Sequence, residues 1–112
     1  MILPLEASIL ATAVELSRAG VDEFHGFELA KRLRDDEGRR NLTAHGTLYK
    51  ALTRMEKAGL LSSVWEDADQ ATGEGRPRRR LYSITMSGRS ALIQVEREAE
   101  ALDRFDPGWS PS

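Results

Sequence analysis

The chain has 112 residues, of which 40% are hydrophobic and 30% charged, and its net charge is −2, a balance that suits one globular domain. It contains no cysteine, which excludes disulfides and thiolate metal sites. Its two histidines, His25 and His45, accompany no HExxH-like motif, and phosphate-cradling glycine motifs are missing, so we expect no enzyme and no metal or other cofactor.

The first predicted element is a helix over residues 5–19. One side of this helix carries its main apolar residues, Leu5, Ile9, Ala13 and Leu16. Glu6 and Glu15 interrupt the apolar N-terminal stretch, and no Lys or Arg precedes it, so it is a poor signal peptide and too short to span a bilayer. We therefore expect a cytoplasmic, nucleoid-associated protein with no membrane partner.

A second helix is indicated by the segment HGFELAKRL at residues 25–33. Its apolar stripe consists of Phe27, Leu29, Ala30 and Leu33. The segment GRRNL at residues 38–42 suits a tight turn, so this helix can cross the next one as in helix-turn-helix modules. Arg39 and Arg40 in that turn could reach a sugar–phosphate backbone.

A third helix is predicted between Thr43, which can cap its first turn, and Gly59, which suits the left-handed position just after its last turn. Leu48, Leu52 and Met55 share its apolar face. Another face carries a mainly cationic set, Thr47, Lys50, Arg54 and Lys57. This pattern fits either a DNA-reading helix or an ordinary amphipathic helix with a solvated polar face.

Two short strands are predicted, over residues 60–65 and 81–85, and they are expected to pair as a hairpin. Gly73, Gly75 and Pro77 disfavour regular structure between the strands, so we expect a mobile tip there. The returning side of the tip carries four guanidinium groups, on Arg76, Arg78, Arg79 and Arg80. Such groups match phosphate oxygens well, although a charged edge strand can also serve only to prevent aggregation.

Positive charge is concentrated in the middle of the chain. Residues 39–80 contain nine Lys or Arg against five Asp or Glu, a local charge of +4, whereas residues 1–38 carry −4 and residues 81–112 carry −2. Attraction to phosphate is screened over roughly 8 Å at physiological salt, so local charge matters more than the chain total. The pattern favours nucleic-acid binding by the central segment.

Three separated segments resemble the PadR family of bacterial transcriptional regulators, which is named after repressors that respond to phenolic acids. They are HGFELAKRL at residues 25–33, HGTLYKALTRMEKAGLL at residues 45–61 and GRPRRRLYSITMSGRSAL at residues 75–92. The resemblance implies a mainly α fold with a small β-hairpin wing, that is, a winged helix-turn-helix with a C-terminal dimerisation helix. It also implies a homodimer that represses transcription by occupying a pseudo-palindromic operator in double-stranded DNA.

The resemblance also suggests which residues meet DNA. Thr47, Tyr49, Lys50 and Arg54 fall on the recognition helix, and residues 76–80 fall on the wing. Lys50 and Arg54 are the stronger candidates for base edges, because their donors match the acceptors of guanine, whereas Tyr49 suits a phosphate. His45 could contact a phosphate or simply be solvated.

Thr85 can cap a last helix with a heptad-like apolar stripe, made of Leu92, Val95, Ala99 and Leu102. A domain of this size leaves much of its surface exposed, so we expect this stripe to form the interface of a homodimer. It would pack against the first helix of the partner, at Leu5, Ile9 and Leu16. The alternative is that the two helices pack within one chain. The predicted organisation is a DNA-binding domain over residues 1–85, a dimerisation helix over 86–106 and a tail over 107–112.

If the chain responds to a small molecule, we expect that molecule at the dimer interface. Aromatic residues that could line such a pocket are Phe24, Phe27, Phe105 and Trp109. The chain ends soon after its last helix, so we expect no separate effector domain, and the effector cannot be named. The main alternative function is a winged-helix module that binds another protein, which would carry an apolar patch on the third helix in place of its cations.

Overall fold

The computed structural model describes residues 2–37 and 45–105, and for residues 35–37, 45 and 103–105 it describes the backbone alone. Its elements, in chain order, are α1 (Pro4–Arg18), α2 (Gly26–Glu37), α3 (His45–Lys57), β1 (Leu61–Trp65), α4 (Ala68–Gly73), β2 (Arg80–Ile84) and α5 (Met86–Phe105). The predicted architecture, mainly helical with a small β-hairpin, is confirmed. In these described segments, no helix is long and apolar enough to cross a bilayer.

Helix α1 lies at the centre of the fold and contacts α2, α3, β2 and α5. Pro4 occupies its first turn, where a missing N–H does no harm. Glu6 turns back to accept the backbone N–H of Leu3 at 3.0 Å, which satisfies one of the donors that the first turn leaves unpaired. The apolar face then fills the core with Ile9, Leu10 and Leu16, each at most 1% exposed.

Helix α3 ends as its sequence predicts. Gly59 has a φ of +79°, and its N–H donates to Glu56 O at 3.0 Å. The N–H of Leu60 donates to Met55 O at 2.9 Å, which completes a Schellman motif. This ending turns the chain directly from α3 into β1, so the first strand of the hairpin starts beside the C-terminus of α3.

The two strands pair antiparallel, with Leu61 opposite Ile84 and Trp65 opposite Arg80. A third segment joins them at Phe24, whose N–H and C=O exchange hydrogen bonds with Tyr82 at 3.0 and 2.8 Å. The Phe24 and Tyr82 rings stack with centroids 6.1 Å apart, and both are buried. These contacts hold the start of α2 against the hairpin.

The expectation of irregular structure between the strands is wrong, whereas the expected mobility stays a prediction. Residues 68–73 form α4, whose N-cap Asp67 accepts the N–H of Asp69 at 2.7 Å. Ala71 is buried under this turn. The glycines that suggested a loop lie at and after the end of α4, where Gly75 has a φ of +69°, so they terminate the helix and do not prevent it.

Helix α5 begins at the cap that the sequence predicts, because Thr85 Oγ1 accepts the N–H of Gly88 at 2.9 Å. The hydroxyl also donates to Gly59 O at 2.6 Å, and this links the start of α5 to the end of α3. Gly88 is buried against the carbonyl of Leu60, and a Cβ at this position would collide with that backbone and with Ile84. The first turn of α5 therefore depends on a residue without a side chain.

The apolar faces of α1 and α5 meet within one chain, as the alternative interpretation held. Ile9 is 0% exposed, Leu16 1% and Leu92 8%, because the core of the same chain covers them. The assignment of these three side chains to a dimer interface is therefore wrong. Leu5 and Val95 are half-buried, and Ala99 and Leu102 are exposed. Only the outer half of the α5 stripe remains uncovered.

Candidate nucleic-acid interface

The exposed face of α3 forms a shallow groove that carries most of its cations. The groove is lined by Gly46, Tyr49, Lys50, Thr53, Arg54 and Lys57. Lys50 and Lys57 are exposed, and neither is bonded to any described residue, so their charges face solvent. Thr47 is exposed on the same helix, whereas Leu48, Leu52 and Met55 are buried beneath it.

Arg54 is held by a carboxylate of another helix. Its Nε donates to Glu6 Oε2 at 2.7 Å, and half of the arginine side chain remains exposed. Burial raises the pKa of Glu6, but the bonds from Leu3 and Arg54 outweigh burial, and the net pKa lies below its usual value. Glu6 is therefore ionised at neutral pH, and it holds the Nε end of the Arg54 guanidinium in place.

The wing is organised around one buried carboxylate, Glu66, which follows β1. Arg76 binds it with both terminal nitrogens, Nη1 to Oε1 at 2.5 Å and Nη2 to Oε2 at 2.7 Å. The Nε of Arg76 also donates to Glu74 at 2.9 Å. The hydrogen bonds from Arg76 outweigh the effect of burial and lower the pKa of Glu66 to about 2. The carboxylates of Glu66 and Glu74 in turn neutralise the charge of Arg76. Arg76 therefore helps to hold the wing together, and its predicted contact with DNA stays a prediction.

Two other wing arginines surround an exposed tryptophan. The guanidinium carbons of Arg78 and Arg80 lie 5.9 and 5.1 Å from the ring centroid of Trp65, within cation–π range. Arg78 also donates to the backbone carbonyl of Glu66 at 2.9 Å, and Arg80 donates to Ser63 Oγ at 2.9 Å. Both side chains are thus oriented on the outer surface of the hairpin.

A cleft of about 590 Å³ separates the start of α2 from the wing. It is lined by basic and aromatic side chains together with one glycine: His25, Arg78, Arg79, Arg80, Phe27, Tyr49, Trp65, Tyr82 and Gly26. The Tyr49 ring lies over the backbone of Gly26, in the space that a side chain there would fill. Because Tyr49 lines both this cleft and the groove on α3, the two form one continuous surface.

The structure thus brings together most of the residues predicted to meet DNA. Those on the joined surface are Tyr49, Lys50, Arg54, Arg78, Arg79 and Arg80. Arg39 and Arg40 lie outside the described residues, as does the side chain of His45. The sequence did not identify His25 as a site residue; its Nδ1 accepts the Glu28 N–H at 3.2 Å. Its position three residues before a Glu, at the start of an amphipathic helix, is the signal that could have identified it as a cap.

Of the four aromatic residues proposed for an effector pocket, the two whose side chains the structure describes do not line a common cavity. Phe24 is buried in the core, and Phe27 is 65% exposed in the cleft beside the wing. The side chain of Phe105 and all of Trp109 lie outside the described residues. A smaller groove of about 240 Å³ between α1 and α5 is lined by Val14, Arg18, Arg89 and Ile93 among others, and none of the aromatic side chains that the structure describes borders it.

Comparison with known proteins agrees with this architecture. Residues 16–94 match the sequence profile of the "Transcriptional regulator PadR-like family". The chain is 39% identical over 89 residues to transcriptional regulator Rv3488 of Mycobacterium tuberculosis, an alignment that spans 80% of this chain and 75% of the relative.

Solved structures give the same result. A PadR-like transcription factor from Bacteroides fragilis superposes with a TM-score of 0.72 at 26% identity, over 90% of this chain and 84% of that one. A transcriptional regulator from Clostridium thermocellum superposes with a TM-score of 0.69 at 25% identity, over 89% and 84%. Since the profile match includes α2, the cationic helix α3 and the arginine-rich hairpin, the chain belongs to the PadR-like family of transcriptional regulators.

Proposed function

We propose that this regulator is a homodimer that binds a pseudo-palindromic operator in double-stranded DNA and represses transcription from it. In this proposal α3 enters the major groove, with Lys50 and Arg54 directed at base edges. The wing arginines Arg78, Arg79 and Arg80 bind the sugar–phosphate backbone beside it. We also keep five further residues as proposed contacts to the same duplex: Arg39, Arg40, His45, Thr47 and Tyr49.

The single observation that carries the proposal is the continuity of the cationic surface. Tyr49 lies between the groove on α3 and the cleft beside the wing, so the cations of both elements border one surface. A helix that reads bases needs neighbouring phosphate contacts to fix its register on the duplex. The exposed side of α3 carries Lys50, Arg54 and Lys57 where a protein-binding module would carry an apolar patch, and this favours DNA as the partner.

Dimerisation would supply much of the sequence specificity. One recognition helix covers only a few base pairs, whereas two helices held roughly 34 to 36 Å apart read two half-sites. The outer part of the α5 stripe, with half-buried Val95 and exposed Ala99 and Leu102, is the surface that we assign to this pairing. A small-molecule effector at this interface would act by binding one arrangement of the dimer more tightly than another, where the two arrangements differ in the spacing of the recognition helices.

Selection of bound duplexes from a random DNA pool tests the proposal directly. We expect an enriched inverted repeat with half-sites about one helical turn apart. Affinity for the selected duplex should fall by about 10³ to 10⁵ between roughly 50 and 200 mM salt, if the dimer neutralises about 6 to 10 phosphates. Failure of the purified protein to bind any duplex at low salt would refute DNA binding, and enrichment of a single, unrepeated site would refute the symmetric dimer.

A further inference from the structure

The cleft between the start of α2 and the wing contains an unusual pairing of His25 with Arg79. Arg79 Nη1 lies 3.1 Å from His25 Nε2, and the imidazole is half-buried. On the other side of the ring, the backbone N–H of Glu28 points at Nδ1 from 3.2 Å. The ring therefore has a hydrogen-bond donor facing each of its two nitrogens.

A neutral imidazole can accept only one of these two hydrogen bonds, because one of its nitrogens must carry the proton. If Nδ1 accepts from Glu28 and so caps α2, Nε2 carries a hydrogen that faces the guanidinium of Arg79. If Nε2 accepts from Arg79, the Glu28 N–H loses its partner. A protonated ring satisfies neither donor. In every state of the ring, at least one donor has no acceptor there.

The surroundings of His25 favour its neutral form. Burial, followed by the charge of Arg79, lowers the pKa of His25 below its usual value of 6.5. The charged groups that act on the ring lie on α2, just after β1 and on the wing: Glu28, Glu66, Arg76 and Arg79. Arg76 is neutralised by Glu66 and Glu74, whereas Arg79 forms no ion pair with any carboxylate in the described part of the chain.

We propose that this cleft binds one phosphodiester of the DNA backbone in each half-site, with the Arg79 guanidinium and the Nε2–H of neutral His25 as its two donors. An anionic oxygen in the cleft would accept from both groups and remove the mismatch, while Nδ1 continues to cap α2. Tyr49, which lies over Gly26 at the border of the cleft, places this site next to the groove of α3. The inference rests on the proposed DNA binding and adds a specific phosphate site to it.

Two substitutions separate the roles of the two donors. His25→Asn keeps a side-chain oxygen that can cap α2 but removes the Nε2 donor, and Arg79→Gln removes the charge. We expect His25→Asn to weaken operator binding about three- to tenfold, and Arg79→Gln about tenfold or more. Only Arg79→Gln should lower the slope of affinity against salt, by about 1 per site, because a neutral histidine releases no counterion. Arg97→Gln, on α5, is the matched control and should leave both quantities unchanged.

A shared phosphate also predicts coupling between the two residues. The double variant should bind the operator at most about twofold more weakly than Arg79→Gln alone. The imidazole contributes little once the phosphate is no longer held in the cleft. In a scan of duplexes with one phosphate replaced by neutral methylphosphonate, one position per half-site should weaken the wild type and leave the double variant unchanged. Thermal unfolding checks that His25→Asn preserves α2.

The outcomes distinguish this site from the function on which it rests. If the wild type binds no duplex, DNA binding itself is refuted. If the wild type binds DNA and both His25→Asn and Arg79→Gln bind it as tightly as the wild type, only the phosphate site is refuted. The last test is a titration of the wild type with inorganic phosphate, monitored by the NMR resonances of the His25 ring. If the shifts of these resonances saturate while both variants bind DNA like the wild type, the cleft binds a free anion and the proposal is overturned.

Discussion

Glu6 of α1 accepts a hydrogen bond from Arg54 of α3 at 2.7 Å, across 48 positions of the sequence. Glu6 is 7% exposed, and the other oxygen of its carboxylate caps the start of α1 at the Leu3 N–H. Arg54 therefore leaves the helix surface in a direction that a second helix determines. A side chain oriented before DNA arrives loses less conformational freedom on binding than a free arginine does.

The first prediction concerns Arg54 itself. Arg54→Ala should weaken binding to the selected operator by about 1 to 3 kcal/mol if the guanidinium reads a base. Binding to non-specific DNA should change much less, and this would be measured by fluorescence anisotropy with both duplexes. Lys57→Ala is the comparison on the same helix, because Lys57 is exposed and lies in the same groove. Equal losses on both duplexes would show that Arg54 contacts only the backbone.

The second prediction isolates the role of Glu6 in orienting that arginine. Glu6→Gln keeps an oxygen for the Leu3 N–H but removes the charge that holds Arg54. The ratio of operator affinity to non-specific affinity should fall by about two- to fivefold, which corresponds to the loss of one partly exposed ion pair. Glu15→Gln removes the same charge from the same helix, beside α5, and should leave the ratio unchanged. A ratio unaffected by Glu6→Gln would mean that DNA reorients Arg54 freely.

The third prediction concerns pH and the buried carboxylate of the wing. Hydrogen bonds from Arg76 lower the pKa of Glu66 to about 2, so the folded state binds fewer protons there than the unfolded chain does. The stabilising contribution is present above the ordinary value of 4.5 and is lost as pH falls towards 2. Urea unfolding between pH 3 and 6 should show a shallower decline for Glu66→Gln than for the wild type.

A control separates this effect from a general loss of acidic charge. Glu98→Gln removes one negative charge from the exposed side of α5 and should give the wild-type pH dependence. Identical curves for Glu66→Gln and the wild type would contradict the assigned role of Glu66.

Local sequence signals predicted the elements well and the long-range contacts poorly. Gly59 and Thr85 marked helix ends correctly, because caps depend on residues close in sequence. The order of the wing was missed, because it depends on the pairing of Glu66 with Arg76 ten residues later. Apolar periodicity in α1 identified a buried face, but periodicity does not reveal whether the same chain or a second copy covers it.

The candidate site shows the same limit. The sequence predicted which cations lie on α3 and on the hairpin, because helical spacing and the arginine run are local features. It did not reveal that Arg76 points inward while Arg79 meets His25, 54 residues earlier. The bridge between Phe24 and Tyr82 brings that histidine to the wing, and a pairing of single residues leaves no periodic signal in the sequence.

The fourth prediction concerns the packing of α5. Gly88→Ala would place a methyl group against the carbonyl of Leu60, so α5 would have to shift, and overpacking of this kind costs about 1 to 3 kcal/mol of unfolding free energy. Gly73→Ala is the matched control, since its Cβ would meet no atom within 4 Å at the end of α4. The control should be neutral or slightly stabilising in urea unfolding. Equal stability of both variants would contradict the close approach of α5 to Leu60.

The last prediction concerns the outer half of α5. Leu102 is 70% exposed, and Ala99 is exposed one turn before it, beyond the part of the helix that Leu92 anchors to the core. If this surface pairs two copies, Ala99→Asp would bury an unpaired charge in the dimer and shift it towards monomer in sedimentation velocity, with weaker operator binding as a consequence. Gln94→Asp adds the same charge on another side of the helix, where the exposed Gln94 side chain donates to Glu98, and should remain dimeric. A dimer that tolerates Ala99→Asp as well as Gln94→Asp would require a different interface, because a charge at its centre cannot be solvated there.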